Sequence, residues 1–121
     1  MKILIWIVMN ENLDYAKIIE ENTKTHSVLI DFFATWCPPC QTLLPILDSI
    51  SSNTEWSSYL KVVKINIDQY PVIATKYRIQ SLPTLVLIPK HPQKVLEIAR
   101  QVGGISEKAL IEWLDQHKIR A

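Results

Sequence analysis

The feature that most constrains the fold is a run of apolar residues over 28–34, interrupted only by Asp31. A strand that is apolar on both faces is typical of a central strand with helices packed on each side of the sheet. After Cys37 the apolar residues change to the spacing of one helix face, at Leu43, Leu44, Leu47 and Ile50. The sequence therefore predicts a buried strand followed directly by a helix, with Cys37 and Cys40 at the junction.

Strand and helix patterns alternate along the rest of the chain, which contains no repeat and no linker-like segment. The order βαβαβαββα predicts an α/β fold in a single domain, 1–121, with a central mixed β-sheet flanked by helices on both faces. Pro45 lies inside the second helix and is expected to bend it. The predicted strands are 3–8, 28–34, 62–67, 85–88 and 95–99, and the predicted helices are 12–22, the segment after Cys37, 72–77 and the segment from Ser106.

Composition argues against several classes of partner. The chain is 48% hydrophobic and 21% charged. Its formal net charge of +1 is too small to attract nucleic acid or anionic lipid by electrostatics. The apolar opening, 2–9, is short and has no small-residue cleavage site, which favours a strand over an export signal or membrane anchor. We therefore expect a cytoplasmic protein that binds neither nucleic acid nor membranes.

The two cysteines, Cys37 and Cys40, are too few for a disulfide framework and close too small a loop to staple a fold. At the start of a helix, unpaired N–H groups and the positive dipole end favour a thiolate, which is the nucleophile of disulfide exchange. Cys37 is therefore predicted to attack, and Cys40, one turn inward, to resolve the mixed disulfide. Pro38 and Pro39 suit a first helical turn, where a missing N–H costs nothing.

Two cysteines at this spacing also form one half of many zinc sites. Zinc needs two further ligands. The available histidines, His26, His91 and His117, are scattered along the chain and show no paired spacing. We therefore expect no metal, and the pair is interpreted as redox-active.

The segment from Asp31 to Cys40, followed by Pro45, resembles the thioredoxin family, whose usual motif is Trp-Cys-Gly-Pro-Cys with a proline five residues on. The similarity continues in order over essentially the whole chain and implies a thioredoxin fold. The other matching segments are 64–68, similar to the family's central strand, 81–84, similar to its cis-proline loop, and Val102-Gly103, similar to the glycine before its last helix.

The resemblance also implies roles for two charged residues. Asp31 would lie beneath Cys40 and move its proton, and burial in an apolar strand should raise the pKa of this carboxyl. Lys64 would be the charged neighbour of Asp31. Otherwise Asp31 would be a solvated carboxylate at the strand end, and Lys64 a lysine extending outward to water.

Substrate-binding residues follow from the same resemblance. Trp36 would form an apolar rim beside Cys37. The peptide bond before Pro83 would be cis and face the disulfide, so that the backbone of Leu82 is presented to an extended substrate strand.

The implied activity is the reduction of protein disulfides by a monomer that binds no cofactor and receives electrons from a thioredoxin reductase or a similar donor. Three departures from the family pattern, at Phe33, Pro38 and the connection around His91, leave the redox potential open. Two alternatives therefore stay open: an oxidant or isomerase with the same fold, and an interaction module whose cysteines act as a redox-sensitive latch.

Overall fold

In a computed structural model of the chain, residues 15–120 are described, and they begin within a helix, α1, that continues to 23. The strand predicted over 3–8 and the start of the helix predicted over 12–22 lie outside the described residues. Ile19 of α1 is buried against the sheet, with Tyr15 beside it. The described part of this helix is thus amphipathic, as its apolar spacing predicts.

The described strands form one sheet in the order β2 (Leu60–Asn66), β1 (Ser27–Phe33), β3 (Thr84–Ile88) and β4 (Ala99–Val102). The central strand β1 (Ser27–Phe33) pairs in parallel with β2 (Leu60–Asn66) and antiparallel with β3 (Thr84–Ile88), which pairs antiparallel with β4 (Ala99–Val102). Every residue of β3, and every residue of β1 except Phe33, is buried. This confirms the mixed sheet and the doubly covered central strand.

Helices pack on both faces of the sheet. Leu29 belongs to an apolar cluster with α2 (Pro38–Ser52) and α5 (Glu107–Gln116), whereas its neighbour Ile30 belongs to a second cluster with α1 and α4 (Pro71–Lys76). Successive strand residues point to opposite faces, so the two clusters lie on opposite sides. None of the helices within 15–120 is long and apolar enough to cross a membrane. The helices after α1 are α2 (Pro38–Ser52), α3 (Thr54–Ser57), α4 (Pro71–Lys76) and α5 (Glu107–Gln116).

The last strand lies further along the chain than predicted. The largely apolar segment 95–99 predicts a strand, but the observed strand is Ala99–Val102, so that prediction is wrong. The reason is a turn at His91, whose N–H donates to Thr23 O at 2.7 Å and whose ring Nδ1 accepts two backbone N–H groups that follow it. The chain returns to the neighbouring strand only at Ile98.

Helix α2 continues through Pro45 without interruption, although proline supplies no N–H to the carbonyl one turn earlier. The expected bend stays a prediction.

The short helix α3, which the sequence patterns did not predict, begins after Asn53, whose side-chain oxygen accepts the N–H of Glu55 at 2.9 Å. It buries Trp56, over which the guanidinium of Arg120 lies 4.2 Å from the ring centre.

Candidate active site

Cys37 and Cys40 form a disulfide at the junction of β1 and α2, with their Cα atoms 5.3 Å apart. Cys37 is the N-cap of α2 and has an extended backbone, while Pro38 and Pro39 occupy the first helical turn. Cys37 is 4% exposed and Cys40 is fully buried. Of the two cysteines, only Cys37 retains any exposed surface through which a molecule could reach the disulfide.

The backbone of α2 supplies a hydrogen bond to the first sulfur. The N–H of Cys40 donates to Cys37 Sγ at 3.3 Å. In the reduced protein the same sulfur is the thiolate, so this N–H, which has no partner within the helix, can stabilise its negative charge. A donor of this kind lowers the pKa of a thiol and increases the thiolate fraction at neutral pH.

Asp31 is a fully buried carboxyl group in the central strand. It lies two residues beyond Leu29, which packs against α2, so its side chain is on the same face of the sheet as that helix. Neither carboxylate oxygen has a hydrogen-bond partner among residues 15–120. Desolvation by burial raises the pKa of Asp31 from 3.8 to about 6, although the positive charge of Lys64 acts in the opposite direction.

Lys64 lies opposite Asp31 in the parallel pairing of β1 and β2. Its ammonium does not bind Asp31, however, because Nζ donates to Asp48 Oδ1 of α2 at 2.6 Å. Asp48 therefore holds the ammonium group toward the surface. Lys64 acts on Asp31 through its positive charge at a distance and not through a hydrogen bond. The sequence identified Lys64 but not Asp48.

We expect substitutions of this ion pair to shift the pKa of Asp31 in opposite directions. Asp48→Asn removes an anion and releases the ammonium of Lys64, so the pKa of Asp31 should fall below 6. Lys64→Met removes the opposing cation, so the pKa should rise above 6. Titration of the carboxyl carbon of Asp31 by NMR in the oxidised protein measures both shifts, and an unchanged value in both variants would contradict the electrostatic coupling.

The loop before β3 lies beside the disulfide. Its Leu82–Pro83 peptide bond is cis, as the resemblance implies, and Leu82 packs against the cluster formed by Cys37 and Cys40. Thr84 is buried and its hydroxyl donates to Ser81 O at 2.6 Å, which closes the loop.

A glycine at the end of β4 holds the loop from the other side. The N–H of Gly103 donates to Pro83 O at 2.8 Å, and Gly103 has φ +90°, a conformation that residues with a Cβ rarely adopt. The adjacent Gly104 would bring a Cβ only into ordinary contact with Pro39, at 3.9 Å.

These two glycines provide a matched pair of variants. Gly103→Ala should lower the free energy of unfolding by about 1–2 kcal/mol, because the left-handed backbone penalises a Cβ even though no atom lies within 4 Å of it. Gly104→Ala should change it far less. Chemical denaturation of both variants measures the difference, and equal losses would show that backbone strain at Gly103 is not the cause.

Trp36 is 66% exposed beside the disulfide, and its indole N–H donates to Asp68 Oδ2 at 2.8 Å. This bond fixes the orientation of a large apolar surface that would otherwise rotate freely. Asp68 follows the end of β2 and is positioned by its own N–H, which donates to Asn66 Oδ1 at 2.9 Å. Asp68 was not predicted as a site residue, since a carboxylate after a strand is usually solvated.

The structure brings most of the predicted site residues together at one end of the sheet. Cys37, Cys40 and Leu82 are in one cluster, with Ile67 as a further apolar member that sequence reasoning missed. The roles of these residues in catalysis and binding stay predictions.

The Thioredoxin family model matches residues 6–116 of this chain. A thioredoxin from Rickettsia bellii is 43% identical over 110 residues, which cover 90% of this chain and 99% of that protein. A thioredoxin-like protein from Synechocystis sp. is 42% identical over 99 residues, covering 78% of this chain and 90% of that protein.

Solved structures with the same fold include chloroplastic thioredoxin z, with a TM-score of 0.71 and 32% identity over 87% of this chain and 88% of that chain. The germline-specific thioredoxin Deadhead from Drosophila melanogaster gives a TM-score of 0.70 and 28% identity over 85% of this chain and 90% of that chain.

Proposed function

This chain belongs to the thioredoxin family and is a thiol-disulfide oxidoreductase, and from that premise we propose that it reduces disulfides in client proteins. The observation that carries the proposal is the asymmetric cysteine pair at the start of α2. Cys37 retains a small exposed surface and its sulfur accepts a backbone N–H, whereas Cys40 is fully buried.

In the first step, the Cys37 thiolate attacks one sulfur of the client disulfide. A bond forms between Cys37 Sγ and that sulfur, the client S–S bond breaks, and the other client sulfur leaves as a thiolate. The N–H of Cys40 supports the attacking thiolate before the bond forms. The product is a mixed disulfide between Cys37 and the client.

In the second step, Cys40 loses its proton and attacks Cys37 Sγ, which releases the second client thiolate and forms the Cys37–Cys40 disulfide. The client gains two electrons and the pair loses two. Asp31 is suited to accept the proton of Cys40, because a pKa of about 6 leaves it mostly ionised at neutral pH and still basic enough to act.

Client binding is assigned to the surface around Cys37. Trp36, fixed by Asp68, provides the apolar rim, and the backbone of Leu82 before Pro83 is available for pairing with an extended client segment. Pro38 and Pro39 stiffen the turn between the cysteines, since a proline ring fixes φ.

We further propose that the oxidised Cys37–Cys40 pair receives electrons from an external donor, a thioredoxin reductase or a similar enzyme. The protein itself is assigned no bound cofactor and a cytoplasmic location. Members of the family generally act on disulfide-containing proteins together with a reductase. In that setting the protein carries electrons between the donor and its clients.

The test is an insulin reduction assay with NADPH and candidate thioredoxin reductases, run beside a redox titration of the Cys37–Cys40 pair. The proposal expects insulin reduction that depends on the reductase and a reducing potential near that of thioredoxins, about −270 mV. A strongly oxidising potential, with net oxidation of reduced clients, would overturn the reductive direction. The variant Cys37→Ser is the control, because it keeps the fold and lacks the nucleophile.

A further inference from the structure

The loop before β3, residues 81–83, contains one residue whose two backbone polar groups are both unpaired. Neither the N–H nor the carbonyl of Leu82 has a hydrogen-bond partner within residues 15–120. A backbone group without a partner in the protein has to bind water or another molecule. These two groups are therefore the ones that the loop leaves for an extended client segment.

The carbonyls on either side of Leu82 are bound by the protein itself. Ser81 O accepts the hydroxyl of Thr84 at 2.6 Å, and Pro83 O accepts the N–H of Gly103 at 2.8 Å. The second of these bonds comes from a backbone group. Thr84 is thus the only side chain in the described part of the chain that supplies a hydrogen bond to this loop.

The bond from Thr84 determines the direction of the Leu82 N–H. The Ser81–Leu82 peptide bond is trans, so the carbonyl of Ser81 and the N–H of Leu82 point in opposite directions from one plane. Thr84 is 1% exposed, and its hydroxyl holds the Ser81 carbonyl toward the interior. The N–H of Leu82 is therefore directed away from the interior.

Thr84 is itself held by a rigid element. It lies in β3, where it is opposite Phe32 of β1 on one side and Val102 of β4 on the other. A hydroxyl on a strand that is paired on both sides restricts the rotation of the peptide plane that it binds. Without this bond the Ser81–Leu82 plane, which lies in a loop, could turn and redirect the N–H.

We propose that Thr84 is a positioning residue for client recognition, because its hydroxyl fixes the Ser81–Leu82 peptide plane so that the N–H of Leu82 meets a carbonyl of the client. The inference rests on the proposed function. Thr84 acts only through Leu82, so a small disulfide that forms no backbone pairing should react independently of it.

Thr84→Val tests the proposal, because valine keeps the branched shape of threonine and removes only the donor. The second-order rate constant of the reduced protein with insulin should fall about tenfold, which corresponds to one or two lost hydrogen bonds. The rate constant with hydroxyethyl disulfide, which has no peptide backbone, should stay within about twofold of wild type. Thr84→Ser is the matched control, since it keeps the hydroxyl and should react with insulin nearly as wild type does.

The amide proton of Leu82 gives a direct readout in a mixed disulfide between the Cys40→Ser variant and a client peptide. A hydrogen bond to the client should move this NMR resonance downfield, and adding Thr84→Val should abolish the shift. The adduct forms through Cys37 in either redox direction. A wild type that reduces no insulin would therefore count against the reductive function, and the Leu82 resonance would still decide the role of Thr84.

Far-ultraviolet circular dichroism checks each fold, and Thr84→Ala, which also lacks the hydroxyl, replaces Thr84→Val if valine prevents folding. A purely structural role would lower the free energy of unfolding and leave the ratio of the two rate constants unchanged. That result would overturn the proposal, as would an equal Leu82 shift in the adducts with and without the Thr84 hydroxyl.

Discussion

Cys40→Ser is expected to accumulate client proteins covalently attached to Cys37. Cys37 is the N-cap of α2, retains a small exposed surface and accepts an N–H, whereas Cys40 is fully buried. The first attack therefore survives the substitution, and the release of the client does not. Turnover of insulin should fall by at least about 1,000-fold. Non-reducing electrophoresis with mass spectrometry identifies the trapped adducts.

Cys37→Ser is the matched control for this trapping. It should abolish turnover equally and trap nothing, because the remaining thiol cannot reach a client.

Alkylation of the reduced wild type at neutral pH should modify Cys37 first, since only a lowered thiol pKa yields thiolate well below about 8.5. Trapping by Cys37→Ser in place of Cys40→Ser would reverse the two assignments.

Asp31→Asn should stabilise the fold at neutral pH while it slows the resolving step. In the folded protein burial raises the pKa of Asp31 to about 6, so the folded state holds a proton that the unfolded state has already released. The wild type therefore loses stability as pH rises from about 4 through 6, by about 3 kcal/mol in total. The amide has no charge to desolvate and should avoid this loss.

Chemical denaturation of both proteins between pH 4 and 8 measures this effect, with the stability gain of the variant shrinking toward the acidic end. Resolution of a preformed mixed disulfide should slow by about 100-fold at pH 7, the usual contribution of a general base, while the first attack on an activated disulfide stays nearly unchanged. Equal stability and equal resolution rates at all pH values would show that burial does not raise the pKa of Asp31 and that Asp31 does not accept the proton of Cys40.

The parts of the fold that the sequence predicted well are those in which one strong local pattern determines the outcome. The apolar run over 28–34 can be satisfied only by a central strand, and helical spacing after Cys37 follows it at once. The strand predicted over 95–99 was wrong because the segment follows a turn at His91, whose N–H donates to Thr23 O of α1. That bond joins residues far apart in the sequence, so no local pattern indicates it.

In the site, too, the residues with a strong local motif were predicted and the residues that contact them were not. The cysteines, the cis-proline loop and the buried carboxyl were all identified from motif residues. The partners that orient them were not: Asp48 binds Lys64, and Asp68 binds Trp36. Both partners are exposed acidic side chains, which on any sequence are indistinguishable from ordinary solvated carboxylates.

The near-complete burial of the disulfide has a consequence for the order of events in a catalytic cycle. A reductase that attacks the oxidised pair can reach only Cys37, which is also the sulfur that attacks the client. Electron donor and electron acceptor must therefore use the same atom in turn, and a ternary complex with both engaged in exchange is impossible. The expected kinetics are of the ping-pong type. The client should inhibit competitively by binding the oxidised protein, which only the reductase can use, and the reductase by binding the reduced protein, which only the client can use.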